Sequence, residues 1–197
     1  ISVFSFYANK HITTGEGGML LTDNKQFYLK IEKLKNLCFG KINRYNHDDI
    51  GWNYRFTNLQ AAIGISQLKR INSIIKRKKK IGKDYYEKIE KNKYIYIQSP
   101  NYNNLQNVYW VVGILIKNKK MTASELQKKL LKKGIDTRLF FWPMNKQTIL
   151  KRMKYKFKKN YKNSEYLSKY GLYLPSGLGI TNKEINFVAK SINNILK

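Results

Sequence analysis

One cysteine, Cys38, stands among the 197 residues, so no disulfide can form within the chain and a reducing, cytoplasmic setting is expected. No apolar run approaches the roughly 18 residues of a membrane span, and no membrane association is predicted. Arginine is scarce: Arg44, Arg55, Arg70, Arg77, Arg138 and Arg152 are all there are. That scarcity decides how the formal charge of +27 is read. Nucleic-acid readers concentrate arginine, whose planar fork fits phosphates and guanine edges. Here the excess is lysine, spread along the whole chain among asparagine, isoleucine and tyrosine. A compositionally biased genome accounts for that pattern better than an electrostatic footprint, and a basic nucleic-acid-binding module stays as a second class. His11 and His47 lack cysteine or carboxylate partners at ligand spacing, so no metal site is expected. Gly-x-Gly-x-x-Gly, the phosphate-loop Gly-Lys-Ser/Thr and Gly-x-Ser-x-Gly are all missing, which removes dinucleotide, nucleotide-loop and serine-hydrolase chemistry.

What is present is a core-forming α/β pattern. Hydrophobic residues make up 42% of the chain, enough to bury an interior. Ile1–Tyr7 is apolar on both faces, as in a strand buried in a mostly parallel sheet. Met19–Thr22 reads as a second strand, and Asp23 or Asn24 as the cap of a helix to about Phe39, with Cys38 on its core face. Residues 41–55 carry no periodicity and form a long polar, aromatic loop, usually a functional feature in a compact chain. Thr57 or Asn58 opens one long or broken helix to about Lys91. Its Lys76–Lys80 run reads as a solvated face. Strands follow at Tyr94–Ile97, Val108–Lys117 and Ile135–Phe141, with a helix from Thr122 to about Lys133 closed by Gly134. Lys151–Lys162 has no clear assignment. Glu165–Tyr170 reads as helix, Leu172–Pro175 as extended, and Thr181–Leu196 as a terminal helix capped by Thr181. Strands and helices alternate throughout, and the change of style near Ile71–Lys91 suggests two lobes.

One lysine is placed unusually. Lys10 follows the first strand and enters the turn Thr13-Thr14-Gly15-Glu16-Gly17-Gly18, so an amine sits where the chain reverses. By spacing alone the turn is a glycine-rich hairpin.

Ser5-Phe6-Tyr7-Ala8-Asn9-Lys10-His11-Ile12-Thr13-Thr14-Gly15-Glu16-Gly17-Gly18-Met19 resembles the cofactor-lysine segment of the DegT/DnrJ-type nucleotide-sugar aminotransferases. The likeness continues in order through the stretch from His47-Asp48-Asp49-Ile50-Gly51-Trp52-Asn53-Tyr54-Arg55 to Gly64, then Thr137–Pro143 and Leu174-Pro175-Ser176. It implies an α/β fold of the fold-type I transferases that depend on pyridoxal phosphate. Residues 1–72 would be the end of the cofactor-binding large domain, and 73–197 the small C-terminal domain. The implied reaction moves an amino group from L-glutamate to a nucleotide-linked 4-keto-6-deoxy sugar, in a homodimer. Lys10 resembles the lysine that holds the cofactor covalently and shuttles a proton once the donor displaces it. Ser5 matches a hydroxyl that binds the cofactor phosphate, and Asn53 an asparagine that reaches the neighbouring subunit's phosphate. His47, Arg55 and Arg138 are candidates for the substrate's carboxylate or diphosphate. Two departures stand out. Asn145 occupies the place of a family histidine, and family members carry about as much chain again before the lysine. That half holds the carboxylate facing the pyridine nitrogen and the ring stacked on the cofactor. The chain, which opens on a strand without an initiator methionine, is therefore expected to be a C-terminal part that is not competent alone. A non-catalytic remnant or assembly partner is the alternative.

Overall fold

The computed structural model describes residues 1–117, 121–157 and 160–197. The chain forms two compact units, Ile1–Ile74 and Ile75–Lys197. In the first, β1 (Ser2–Ser5) and β2 (Gly18–Leu21) make an antiparallel hairpin, followed by α1 (Lys25–Lys35) and α2 (Asn58–Leu68). Asn24 caps α1, its side-chain oxygen accepting from the backbone N–H groups of Gln26 and Phe27. Thr57 and Gln60 cap α2 reciprocally, each side chain serving the other's backbone.

The long helix is broken: α2 stops at Leu68 and α3 runs Ile71–Ile89. The second unit continues with β3 (Ile95–Ile97), the small hairpin β4 (Asn101–Tyr102) and β5 (Leu105–Gln106), and β6 (Val112–Ile116). Then come α4 (Ala123–Leu131), β7 (Arg138–Leu139), α5 (Thr148–Arg152), α6 (Lys162–Tyr170), β8 (Gly171–Leu174) and α7 (Asn182–Ile195). The sheet order is β3-β6-β8-β7, with every neighbouring pair antiparallel.

Period-two burial puts Ile95 and Ile97 of β3, and Val112, Ile114 and Ile116 of β6, on the covered face of that sheet. Helical spacing puts Ile81, Tyr85 and Ile89 of α3, Leu126 and Leu130 of α4, and Ile185, Val188 and Ile192 of α7 in the same cluster. Thr122 caps α4 with Glu125, and Thr181 caps α7 with Glu184. The backbone N–H of each threonine, then its hydroxyl, holds the glutamate below its ordinary carboxylate value.

Three expectations about elements are corrected. The first strand is exposed along its length and pairs antiparallel, because its neighbour is the strand returning from a short connection. The first helix ends at Lys35, and Leu37 and Cys38 beyond it take the left-handed region at φ 63° and 49°. Of Ile135–Phe141 only Arg138–Leu139 pairs as strand. Within the unassigned basic stretch, Lys151 and Arg152 close α5, whereas residues 158 and 159 lie outside the described residues.

The Lys76–Lys80 run is not uniformly solvated. Lys78 is 8% exposed and donates to the Ser176 carbonyl at 2.8 Å. Beside it Tyr85 donates to the Pro175 carbonyl at 2.8 Å, and Arg77 to those of Leu178 and Ile180. One face of α3 thus satisfies the carbonyls of the loop after β8, which has no ladder partner for them. Burial lowers the Lys78 pKa to about 8 from 10.5. Between those values the unfolded chain binds the proton that the folded chain has released, so this group makes stability rise with pH across that window. Below about 8 both states are charged and the desolvation cost is borne in full. The urea midpoint of the wild type is therefore expected to climb from pH 7.5 to 10 relative to that of Lys78→Met. Parallel midpoints would show that Lys78 carries no such penalty.

Candidate active site

The hairpin loop between β1 and β2 is built around one residue. Tyr7 donates its backbone N–H to Ser5 Oγ at 3.3 Å, and its carbonyl accepts from the Lys10 backbone N–H at 3.0 Å. Ser5 and Lys10 are therefore fixed relative to each other through Tyr7. The return limb is held in turn. Phe6 donates to the Gly17 carbonyl at 2.9 Å, while the Phe6 carbonyl accepts from the Thr14 N–H and from the Thr13 hydroxyl, both at 3.0 Å. Thr14 is buried, and its hydroxyl donates to the Glu16 carbonyl at 2.5 Å. Gly17 has φ +125°, and a Cβ there would meet the Phe56 ring at 2.2 Å. Only glycine provides both that conformation and that approach.

The aromatic loop is ordered by α1. Leu34 and Lys35 would leave their carbonyls unpaired at the helix end. Instead they accept from the N–H groups of Trp52 at 2.7 Å and Tyr54 at 2.9 Å. Gly51 packs so tightly against the Leu37–Cys38 backbone that a Cβ would lie 2.5 Å from Leu37 C and Cys38 N. His47 Nδ1 bonds the Leu37 carbonyl at 2.7 Å, and its ring packs on Phe39 at 5.2 Å. In the same loop Arg55 Nε donates to Asn53 Oδ1 at 3.1 Å, a bond that occupies the Asn53 carbonyl oxygen and not its N–H₂. The loop meets the hairpin at Phe56, whose ring lies 5.7 Å from that of Phe6.

The structure thus brings Ser5 with Lys10, and Asn53 with Arg55, on two joined segments of the first unit. His47 lies in the second of these segments, turned to the α1 terminus. Arg138 is an exposed residue of the second unit, at the start of β7 opposite Tyr173. Asn145, where the family pattern has histidine, donates to Glu165 at 3.1 Å. Sequence reasoning passed over Gln67, which bonds both main-chain groups of Thr13. Among the described residues no three His, Cys, Asp or Glu side chains come together as a metal would require, and no helix is long and apolar enough to cross a membrane.

A phosphorylated aldehyde such as pyridoxal phosphate calls for hydrogen-bond donors to its phosphate, here a serine O–H and an amide N–H₂, and for an amine as nucleophile toward its carbonyl carbon. The first two keep donor capacity after their internal bonds are made, so the residues fit that group.

Residues 1–193 match the sequence profile of the DegT/DnrJ/EryC1/StrS aminotransferase family. The GDP-perosamine synthase of Escherichia coli O157:H7 is 35% identical over 193 residues, covering 98% of this chain and 51% of that protein. The chain spans about half the length of the curated relatives it matches. The Helicobacter pylori aminotransferase involved in the biosynthesis of pseudoaminic acid superposes with a TM-score of 0.87 at 24% identity, over 99% of this chain and 53% of that one. The E. coli GDP-4-keto-6-deoxy-D-mannose-3-dehydratase, solved with bound hydrated PLP, gives 0.83 at 22% identity, over 97% and 54%. These two likenesses establish the fold. With its profile matched from Ile1 nearly to the last residue, the chain belongs to the DegT/DnrJ/EryC1/StrS aminotransferase family.

Proposed function

We propose that this chain is the C-terminal part of a pyridoxal-phosphate-dependent aminotransferase of the GDP-perosamine synthase kind. It would carry an amino group from L-glutamate to a nucleotide-linked 4-keto-6-deoxy sugar, giving an amino sugar of the sort built into O-antigen polysaccharide. The observation that carries this reading is the single turn at Tyr7, which ties the Ser5 hydroxyl to Lys10. Bound there, pyridoxal phosphate supplies an electron sink for the charge left when the donor's α-carbon loses its proton.

The chain's own residues do the rest. Lys10 Nζ is the covalent anchor and, when displaced, the base that takes the α-carbon proton. Ser5 Oγ–H donates to the phosphate. Asn53 Nδ2 donates to the phosphate of the neighbouring subunit in a homodimer, with Arg55 Nε fixing which way its amide faces. Arg55 and Arg138 meet the donor's carboxylate or the sugar's diphosphate, for which the guanidinium fork is suited. His47 is the third candidate for the same anions, its Nδ1 being engaged with the Leu37 carbonyl. Residues 1–72 serve the cofactor and 73–197 form the small domain, in a cytoplasmic enzyme.

The test uses the protein with its native flanking sequence. Supplied with pyridoxal phosphate, L-glutamate and GDP-4-keto-6-deoxy-D-mannose, it is expected to release 2-oxoglutarate and a GDP-linked amino sugar in equal amounts, measured by mass spectrometry. Cofactor retention without either product moves the assignment to another sugar. Neither retention nor product ends the aminotransferase reading.

A further inference from the structure

Thr13 lies three residues after Lys10, at the start of the return limb of the loop. Its main-chain N–H donates to Gln67 Oε1 at 3.1 Å, and its carbonyl accepts from Gln67 Nε2 at 2.6 Å. An antiparallel strand pairs a residue in this way, through one N–H and one carbonyl. Here a primary amide supplies both groups from one side chain. Gln67 Nε2 lies also 3.4 Å from the Ile63 carbonyl one turn back, which holds the side chain along α2. Gly64, on the same face, lets α2 come close enough: a Cβ there would stand 3.1 Å from Thr14 Cγ2. Thr14 itself is 5% exposed, so the contact is packed on both sides of the amide pair.

We propose that Gln67 is a positioning residue for Lys10: its amide holds the Thr13 peptide as a neighbouring strand would, and so sets where the lysine-bearing loop stands. The assignment rests on the reading of Lys10 given above for its consequence in cofactor attachment, and on geometry alone for the loop. The bonds of Phe6 to Thr13, Thr14 and Gly17 lie within the hairpin itself, whereas those of Gln67 join its return limb to α2.

The chemistry of the pair supplies a specific test. Leucine removes both bonds. A glutamate that carries its proton can donate to the Thr13 carbonyl and accept from its N–H, as the amide does. Once ionised it sets a negative oxygen against that carbonyl. In the protein with its native flanking sequence, Gln67→Leu should speed amide exchange of residues 13–17 about tenfold while leaving β6 unchanged. Borohydride trapping of pyridoxal phosphate on Lys10, read by peptide mass, should fall by a similar factor. Gln67→Glu should exchange like wild type near pH 4.5 and like Gln67→Leu near pH 8, each compared with wild type at the same pH. Wild-type loop exchange in Gln67→Leu overturns the proposal, as does faster exchange everywhere, or a Gln67→Glu profile parallel to wild type. If wild type itself traps no cofactor on Lys10, the function proposed above fails, and the exchange arms still decide whether Gln67 holds the loop.

Discussion

Lys10→Ala is expected to end covalent attachment of pyridoxal phosphate and to lower amino transfer by about a thousandfold or more. A positioned acid–base group contributes about 10²–10⁴ by itself, and the anchor is lost with it. The substitution removes the side-chain amine and keeps the main-chain bonds of the loop. The turn rests on the Lys10 backbone N–H, which alanine keeps, and on bonds made by Phe6, Thr13, Thr14 and Gly17. Exchange of residues 13–17 should therefore stay at the wild-type level while trapping vanishes. This is the opposite of what Gln67→Leu does to the loop, and the pair of variants separates the chemistry of the amine from its placement. Retained trapping at another lysine, with turnover intact, would show that Lys10 is not the anchor.

The sequence carried this site unevenly, for physical reasons. Helix caps were legible because they are local: Asn24, Thr57, Thr122 and Thr181 each bond a backbone N–H within three residues. The hairpin was legible as strand, turn, strand, but the faces of β1 were not, since burial of a strand depends on what packs against it. Helix α1 was drawn four residues too long because Leu37 continues its apolar spacing. Nothing in residue type announces that Leu37 and Cys38 turn left-handed to receive Trp52 and Gly51 from fifteen residues on. Gln67 was missed for the same reason, its partner being 54 residues away. Lys78 was misjudged because a charge run has a solvated face only where no loop carbonyls wait beneath it. The candidate residues themselves came from ordered likeness to a family, which supplied what local pattern could not.

The two units should differ sharply in stability. Every member of the hydrophobic cluster lies between Ile81 and Leu196, with β6 central in the sheet and helices α3, α4 and α7 packed on it. In the first unit only Cys38, Ile74 and Thr14 are buried, while Val3 is 75% exposed, Leu59 80% and Ile65 57%. Ordering each residue costs about 1–2 kcal/mol of backbone entropy. Apolar burial returns about 25 cal/mol per Å², and the first unit has little of it within itself. Peptides from residues 1–70 of the isolated 197-residue chain are thus expected to exchange their amides within seconds, with β6 and α7 protected for hours. A polypeptide of residues 71–197, keeping α3 whole, should unfold in urea as one cooperative transition. Ile114→Ala, at a position 1% exposed in the central strand, should cost that transition about 2–5 kcal/mol. Leu59→Ala in the 197-residue chain should leave it unmoved, because a side chain already in water has no interior to lose. Equal protection of β1 and β6 would mean that the first unit draws stability from bonds rather than burial. The short hairpin, with four paired residues on each strand, offers few of those.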